Sequence, residues 1–148
     1  MGLITHQYQE YNLDMESQLK KTILFLSCFG VLLASYLFYN FIFQPQFKLC
    51  TINQTVNCDA VISGSVSTTL GVPTALYGLV GYLVIIFGAL KSKWKLVLGM
   101  AIFGTLFCLR LTVIELFQLK VICPVCLMCQ LTMVGILLTS LIKQKTNL

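Results

Sequence analysis

Residues 121–142 read VICPVCLMCQLTMVGILLTSLI, an apolar segment of 22 residues that contains no charged side chain. An α-helix rises 1.5 Å per residue, so about 20 apolar residues cross the roughly 30 Å hydrocarbon core of a bilayer. The segment therefore predicts a transmembrane helix. It begins with a Cys-x-x-Cys pair, Cys123 and Cys126, so the predicted helix carries two thiols close to one membrane face.

The composition of the whole chain is also that of a membrane protein. Its 148 residues are 57% hydrophobic and only 10% charged, with a mean hydropathy of +0.87, which does not suit a soluble domain. Three further stretches have the length and apolarity of spans: 22–43, 70–90 and 96–117. The alternation that a membrane barrel needs is missing. We expect an all-α integral membrane protein, a four-transmembrane-helix bundle.

The polar segments lie on either side of a single predicted domain. The four spans and their connections form a transmembrane catalytic domain, residues 22–142. A polar N-terminal segment, 1–21, precedes it, and a short tail, 143–148, follows it. The longest polar stretch between spans is the loop 44–69, which contains a second cysteine pair. The chain is thus expected to be one compact domain with one sizeable loop outside the membrane.

The lysines predict the orientation, because the cytoplasmic flanks of membrane helices are enriched in positive charge. Only Lys48 and Lys120 lie on the side of the loop 44–69. Both termini are therefore expected in the cytoplasm, with the loop and the start of the fourth span on the outer face. The net charge of +5 follows from this asymmetry and does not indicate nucleic-acid binding. Seven lysines flank the opposite ends of the spans: Lys20, Lys21, Lys91, Lys93, Lys95, Lys143 and Lys145.

Four of the seven cysteines can meet at this outer face. Cys50 and Cys58 lie in the loop 44–69, and Cys123 and Cys126 begin the fourth span. A thiol at a helix N-terminus lies near unpaired amides and the positive end of the helix dipole, which lowers its pKa. Two such pairs at one membrane face suggest an electron relay, and we predict these four residues as catalytic. The alternative for the Cys-x-x-Cys pair is a structural disulfide or a metal clip.

The other cysteines and one arginine lie inside the predicted spans. Cys28 and Cys108 are interpreted as small apolar packing residues. Cys129 extends the pair to Cys-x-x-Cys-x-x-Cys, a spacing also found in iron–sulfur ligand runs. Those runs usually form folded loops rather than a continuous helix, so Cys129 is interpreted as packing and no metal site is expected. Arg110 is expected to snorkel to the interface or to form an ionic contact with Glu115.

Several motifs along the chain match one known family. They are the pair Cys50 and Cys58, Cys58-Asp59-Ala60-Val61 followed by Ser63, Gly71-Val72-Pro73, Tyr77-Gly78 through Tyr82, and the Cys-x-x-Cys of the fourth span. The chain resembles the vitamin K epoxide reductase family, especially its prokaryotic members. The resemblance runs from about Thr22 to Leu141, and the order of a loop pair followed by Cys-x-x-Cys is its most specific feature.

The resemblance implies a four-helix bundle around a quinone of the ubiquinone, menaquinone or phylloquinone type. Cys123 and Cys126 are then the redox centre beside the ring, and Cys50 and Cys58 carry electrons to them from outside thiols through a Cys58–Cys123 mixed disulfide. The products are a quinol and a new disulfide. The chain ends at residue 148, six residues after the last predicted span. The thioredoxin-fold partner is therefore expected to be a separate secreted protein, and the location a bacterial inner or plasma membrane.

The resemblance also implies contacts to the quinone. Vertebrate members bind the quinone carbonyls through a tyrosine four residues after the second redox cysteine and an asparagine near the start of the second span. These places hold Gln130 and Thr74 here. Tyr77 and Tyr82 correspond to aromatic positions of the pocket, and Ser63 is assigned to it as well. Because Gln130 and Thr74 differ from the vertebrate residues, an ordinary respiratory quinone is favoured over vitamin K epoxide.

Two other functions are compatible with the sequence. The first is the reduction of vitamin K epoxide or of a quinone with a dithiol as the reductant. The second is a non-enzymatic membrane protein whose outer cysteines form static disulfides or bind a metal ion. Redox lability separates an enzyme from a static protein, because static bridges resist mild thiols.

Overall fold

The structure is a computed structural model that is mostly helical, with one short hairpin. It describes residues 2–43, 51–62, 64 and 68–146. In chain order its elements are α1 (Gly2–Phe43), α2 (Cys58–Ile62), β1 (Thr68–Thr69), β2 (Val72–Pro73), α3 (Thr74–Leu90), α4 (Trp94–Ile114), a π-helix (Glu115–Leu119) and α5 (Pro124–Thr146).

Three of the helices are long and apolar enough to cross a membrane: α1, α4 together with the π-helix, and α5. Helix α3 is also apolar but has only 17 residues, a length of about 26 Å. These helices are those of an all-α membrane protein, as the composition predicts. That all four cross the membrane stays a prediction.

The predicted second span, 70–90, differs from the structure at its start. Strands β1 and β2 pair in antiparallel order and form a hairpin. The two turn residues, Leu70 and Gly71, have φ angles of 56° and 81°, as in the type I′ turns that close two-residue hairpins. A left-handed backbone cannot continue an α-helix. Helix α3 therefore begins only at Thr74, four residues after the predicted start.

Helix α1 begins far before the predicted first span, 22–43. It includes residues 2–21 of the polar N-terminal segment, most of which are exposed. This stretch contains no proline and is rich in leucine, glutamine, glutamate and lysine, all of which favour helix. The helix therefore continues without a break into the apolar part.

The long helices pack pairwise, with α1 against α3 and α5, and α4 against the same two helices. Small residues permit close packing in membrane bundles. Gly30 of α1 lies where the ring of Tyr82 crosses from α3, and a Cβ atom at this position would overlap the ring. The Tyr82 hydroxyl donates to the Cys129 carbonyl of α5 at 3.1 Å, so this side chain connects three helices. The buried core of the described residues comprises Ile23, Ala34, Tyr82, Ile85, Ala89, Val97, Ala101, Met133 and Ile136.

An ion pair joins α1 to α5 at the end of the bundle where both termini lie. The Lys143 Nζ atom is 2.9 Å from Oε2 of Glu16 and 5.6 Å from the ring centroid of Trp94. Lys143 is buried and Glu16 is half-buried. The hydrogen bond with Lys143 lowers the pKa of Glu16, which lies outside the apolar segment 22–43.

A Glu16→Gln substitution is expected to lower the thermal stability at neutral pH but not at acid pH. A carboxyl group with a lowered pKa in the folded protein stabilises the fold above its ordinary value of 4.5, and this contribution is lost as the pH falls through the lowered value. Melting temperatures in detergent should therefore differ at about pH 7 and converge at about pH 3. Glu10→Gln, in the exposed part of the same helix, is the control. Equal melting temperatures at neutral pH would contradict the prediction.

Candidate functional site

A short piece of the loop 44–69 pairs with the residue that precedes Cys123. The Ile122 amide donates to the Thr55 carbonyl at 2.8 Å, and the Asn57 amide donates to the Ile122 carbonyl at 3.2 Å. The two segments form a parallel β-bridge. Because Cys58 follows Asn57 and Cys123 follows Ile122, this pairing brings the two cysteines together.

Asn57 also fixes the start of helix α2, whose first residue is Cys58. Its Oδ1 atom accepts hydrogen bonds from the amides of Asp59 at 2.9 Å and Ala60 at 3.2 Å, as an N-cap side chain does. The position of Cys58 is thus set by the β-bridge before it and by the helix that it begins. Asn57 was not singled out from the sequence, although an asparagine before an acidic first turn is a helix start signal.

The sulfur atoms of Cys58 and Cys123 lie 3.3 Å apart. Both side chains are buried, with exposures of 1% and 0%. Cys58 takes part in a disulfide, whereas Cys123 is a free thiol. Reacting atoms in enzymes are held about 3–3.5 Å apart, so the Cys123 sulfur lies at attack distance from a disulfide sulfur. The pair is arranged for thiol–disulfide exchange.

The second thiol of the Cys-x-x-Cys pair lies in the first turn of α5. The backbone amide of Cys126 donates to the Cys123 sulfur at 3.4 Å. An amide of the helix N-terminus is thus directed at the first thiol, as in other reactive Cys-x-x-Cys pairs. Cys126 is also a free thiol, and it lines an apolar cavity. The two residues together connect the loop to the interior of the bundle.

A buried carboxyl group lies beside these two thiols. Glu115, the first residue of the π-helix, is 2% exposed. Its carboxyl group interacts with the Cys126 thiol and the Cys123 backbone amide. Its Oε1 atom has no hydrogen-bond partner in the described part of the chain. Arg110 is exposed and forms no ion pair with Glu115, so the expected ionic contact between them is wrong.

The π-helix places this carboxyl group at the site. It follows α4 directly and ends at Leu119, and the next residue, Lys120, has a left-handed φ angle of 52°. The Val121 amide donates to the Glu115 carbonyl at 3.3 Å across this reversal. The chain therefore turns back within a few residues and brings the start of α5 against Glu115. Single turns of π-helix are frequent at functional sites.

An apolar cavity opens beside Cys126 and is covered in part by helix α2. Its walls are almost entirely apolar, as those of small-molecule sites usually are. Its few polar groups include the hydroxyls of Thr74 and Thr112. The residues that line it are Ala34, Leu37, Phe41, Val61, Ile62, Pro73, Thr74, Ala75, Gly78, Tyr82, Phe107, Cys108, Leu111, Thr112, Cys126, Cys129 and Met133.

A comparison with protein families gives a match over most of the chain. The family model described as the vitamin K epoxide reductase family matches residues 21–141. The chain belongs to the vitamin K epoxide reductase family. A comparison with curated proteins finds no matching sequence. The resemblance read from the motifs is thus confirmed, and the chain is a multi-pass membrane protein of a quinone-associated oxidoreductase family.

Two of the quinone contacts expected in a vitamin K epoxide reductase family member line the cavity. These are Thr74 and Tyr82. The Tyr82 hydroxyl already donates to the Cys129 carbonyl, so the Tyr82 ring rather than its hydroxyl is available to a ligand. Cys129 and Cys108, which the sequence suggested as packing residues, line the cavity as well. Cys28 is exposed on the surface of α1.

Two other expected contacts of this family, Tyr77 and Gln130, are not part of the cavity wall. The Tyr77 hydroxyl donates to the Thr69 carbonyl at 3.2 Å, and Tyr77 is not among the cavity residues. Gln130 is also absent from the lining, and its Oε1 atom is buried without a hydrogen-bond partner among the described residues. Cys50 and Ser63 lie outside the described residues. The roles of these four residues stay predictions.

Proposed function

We propose that this protein is a quinone-linked disulfide oxidoreductase. It transfers electrons from a secreted thioredoxin-fold partner through Cys50 and Cys58 to Cys123 and Cys126, and from there to a quinone. The observation that carries the proposal is the 3.3 Å contact between the sulfurs of Cys58 and Cys123, beside a second thiol that opens on an apolar cavity. This order of groups links a loop that a protein can reach with a space that a lipid-soluble acceptor can enter.

The proposed transfer from the loop pair uses two disulfide exchanges. The Cys58 thiolate attacks the Cys123 sulfur of the Cys123–Cys126 disulfide, and Cys126 leaves with the electron pair. The Cys50 thiolate then attacks the Cys58 sulfur and releases Cys123. The products are a disulfide in the loop pair and two free thiols at the start of α5. In the structure Cys58 takes part in a disulfide, and Cys123 and Cys126 are free thiols. This is consistent with the redox state expected after the transfer.

The cavity suits a quinone in its chemistry. Its walls are apolar and come from α1, α3, α4 and α5, as the ring and hydrophobic chain of a quinone require. Thr74 is among the residues that line the cavity and would supply a polar group to a bound quinone. A bound quinone supplies an acceptor for two electrons and two protons. Cys126 reaches this acceptor from the cavity wall, and Cys123 completes the disulfide.

The proposed orientation places the loop 44–69 and the relay on the outer face of a bacterial inner or plasma membrane. The ion pair between Glu16 and Lys143 then lies on the cytoplasmic face, with both termini. A separate secreted partner supplies the electrons, because the loop pair faces outward in this arrangement.

The proposal predicts that quinone and partner thiols are consumed together. The purified chain in nanodiscs is mixed with a reduced thioredoxin-fold protein and with ubiquinone, menaquinone or phylloquinone analogues in turn. Quinone absorbance and partner thiols are measured in parallel. One disulfide is expected for each quinone reduced, because each reaction transfers two electrons. Cys28→Ala, which changes an exposed thiol far from the relay, is expected to match the wild type.

The outcomes of this assay separate the candidate functions. No loss of any quinone with intact protein would contradict the proposal and favour static disulfides. Consumption of vitamin K epoxide in place of the quinones would assign the reaction to epoxide reduction. Thiol oxidation without quinone loss would show that another oxidant accepts the electrons.

A further inference from the structure

Glu115 is a buried acid that the electron-transfer steps do not use. It is 2% exposed, within a helical segment that is apolar and long enough to cross a membrane. An ionisable side chain at such a place is costly and is usually present for function. In the described part of the chain its carboxyl group is paired with no basic side chain, and Arg110 of the same segment is exposed. A structural ion pair therefore does not account for it.

The contacts of the carboxyl group lead to one of the redox thiols. The Cys126 thiol and the Cys123 amide both interact with it, while Oε1 accepts no hydrogen bond from the described residues. Cys126 lines the cavity and Glu115 does not. Of the groups that interact with the carboxyl group, the Cys126 thiol is the one that lies in the cavity wall.

The two redox states of Cys126 offer Glu115 different partners. In the dithiol state the carboxylate accepts hydrogen bonds from the Cys126 S–H and the Cys123 N–H. In the disulfide state Cys126 has no S–H group to donate. A carboxylate buried in an apolar segment would then lose one of these two hydrogen bonds. A buried charge is tolerated only when it is well hydrogen-bonded. The proton that Cys126 loses is thus best held by the carboxyl group itself.

We propose that Glu115 exchanges a proton with Cys126 in each half of the reaction, an inference that rests on the proposed function. When the pair is oxidised, the Cys126 S–H bond breaks and its proton moves to the Glu115 carboxylate, while Cys123 gives up its thiol proton, the S–S bond between Cys123 and Cys126 forms, and two electrons pass to the acceptor. When Cys58 opens the Cys123–Cys126 disulfide, the S–S bond breaks and Cys126 leaves with the electron pair. The Glu115 carboxyl group then returns the proton to it.

Protons and electrons balance over this cycle. Glu115 gains one proton when the Cys123–Cys126 disulfide forms and loses it when that disulfide opens. One proton taken from water in the first half returns to water in the second. In sum, one partner dithiol and one quinone give one partner disulfide and one quinol, with two electrons and two protons transferred.

Infrared difference spectroscopy tests the protonation change directly. The full chain in nanodiscs is cycled between its dithiol form, made with dithiothreitol, and its disulfide form, made with a soluble oxidant. A protonated-carboxyl band is expected in the disulfide form and is lost on reduction, and the Glu115→Gln variant is expected to lack it. Absence of the band from the wild type, or its persistence in Glu115→Gln, would overturn the inference. This readout requires no quinone.

Single-turnover quinone reduction by the pre-reduced protein tests the kinetic role. Glu115→Gln is expected to be about 100-fold slower, the scale of general acid–base catalysis, and Glu115→Asp is expected to recover part of the rate. Arg110→Gln, which removes an exposed charge in the same segment, is the control and keeps the rate. A full rate in Glu115→Gln would overturn the inference and leave the proposed function intact. Equal losses in both Glu115 variants with lowered melting temperatures would assign a purely structural role.

The same experiments separate the inference from the proposed function. If the wild type reduces no quinone, the proposed function fails, and the infrared band alone decides whether Glu115 exchanges a proton with Cys126. If the wild type is active and the band is absent, only the inference fails.

Discussion

A Cys126→Ala variant is expected to reduce no quinone and to accumulate a disulfide between Cys58 and Cys123. Cys126 is the thiol of the redox pair that lines the cavity, whereas Cys123 is fully buried and is not part of the lining. Loss of a group that forms the reacting bond lowers activity by on the order of 1,000-fold or more. The Cys123 sulfur remains 3.3 Å from Cys58, and without Cys126 the bond between them can be broken only from the loop side, by Cys50.

Two measurements check this prediction. Quinone absorbance in nanodiscs gives the activity, and mass spectrometry of non-reduced peptides identifies the Cys58–Cys123 link. Cys129→Ala is the matched control, because Cys129 lies on the same helix and lines the same cavity but has no place in the relay. Equal losses in the two variants would indicate damage to the cavity rather than to electron transfer. Absence of the Cys58–Cys123 link under mild oxidation would contradict the exchange geometry.

A Cys50→Ala variant is expected to lose partner-driven activity while keeping part of the activity with a small dithiol. Without Cys50, the Cys58–Cys123 mixed disulfide lacks the thiol that resolves it within the same molecule. Intramolecular reactions gain a large advantage from proximity, so a loss of about 100-fold is expected with a protein partner. A small dithiol at millimolar concentration can attack the Cys58 sulfur in place of Cys50 each time the loop segment opens.

The ratio of the two activities is the informative quantity. Quinone reduction is measured with a reduced thioredoxin-fold protein and with dithiothreitol, for the wild type, Cys50→Ala and Cys58→Ala. Cys58→Ala is expected to be the more severe change with the small dithiol, because Cys123 is fully buried and Cys58 is the sulfur that contacts it. If Cys50→Ala reduced both activities by the same factor, a shuttle role would be excluded.

The apolar segments and the cysteine pattern were sufficient to predict the helical membrane architecture and the thiols that meet. Spans follow from segment length and apolarity, which are local properties of the chain. The family resemblance added the order of the relay, and the contact of Cys58 with Cys123 agrees with that order. The hairpin before α3 was missed, because its turn is made by Leu70 and Gly71 inside an apolar stretch that reads as the start of a helix.

The role of Glu115 could not be read from the sequence, for a geometric reason. Arg110 was considered as its partner because both are charged residues of one span. Residues five apart on an α-helix lie on different faces, whereas those three or four apart are neighbours. The groups that actually contact Glu115 come from the start of α5. The π-helix and the left-handed residue Lys120 bring these groups against Glu115. Neither feature has a recognisable signal in the amino-acid sequence.

The burial of the Cys58 and Cys123 sulfurs limits which thiols can react with them. Glutathione and other dissolved thiols have no direct access to sulfur atoms with almost no exposed surface. They gain access only when the segment containing Thr55 and Asn57 separates from Ile122, and two backbone hydrogen bonds oppose that opening. Direct reaction of dissolved thiols with these two sulfurs is thus limited by a local opening event rather than by chemical reactivity.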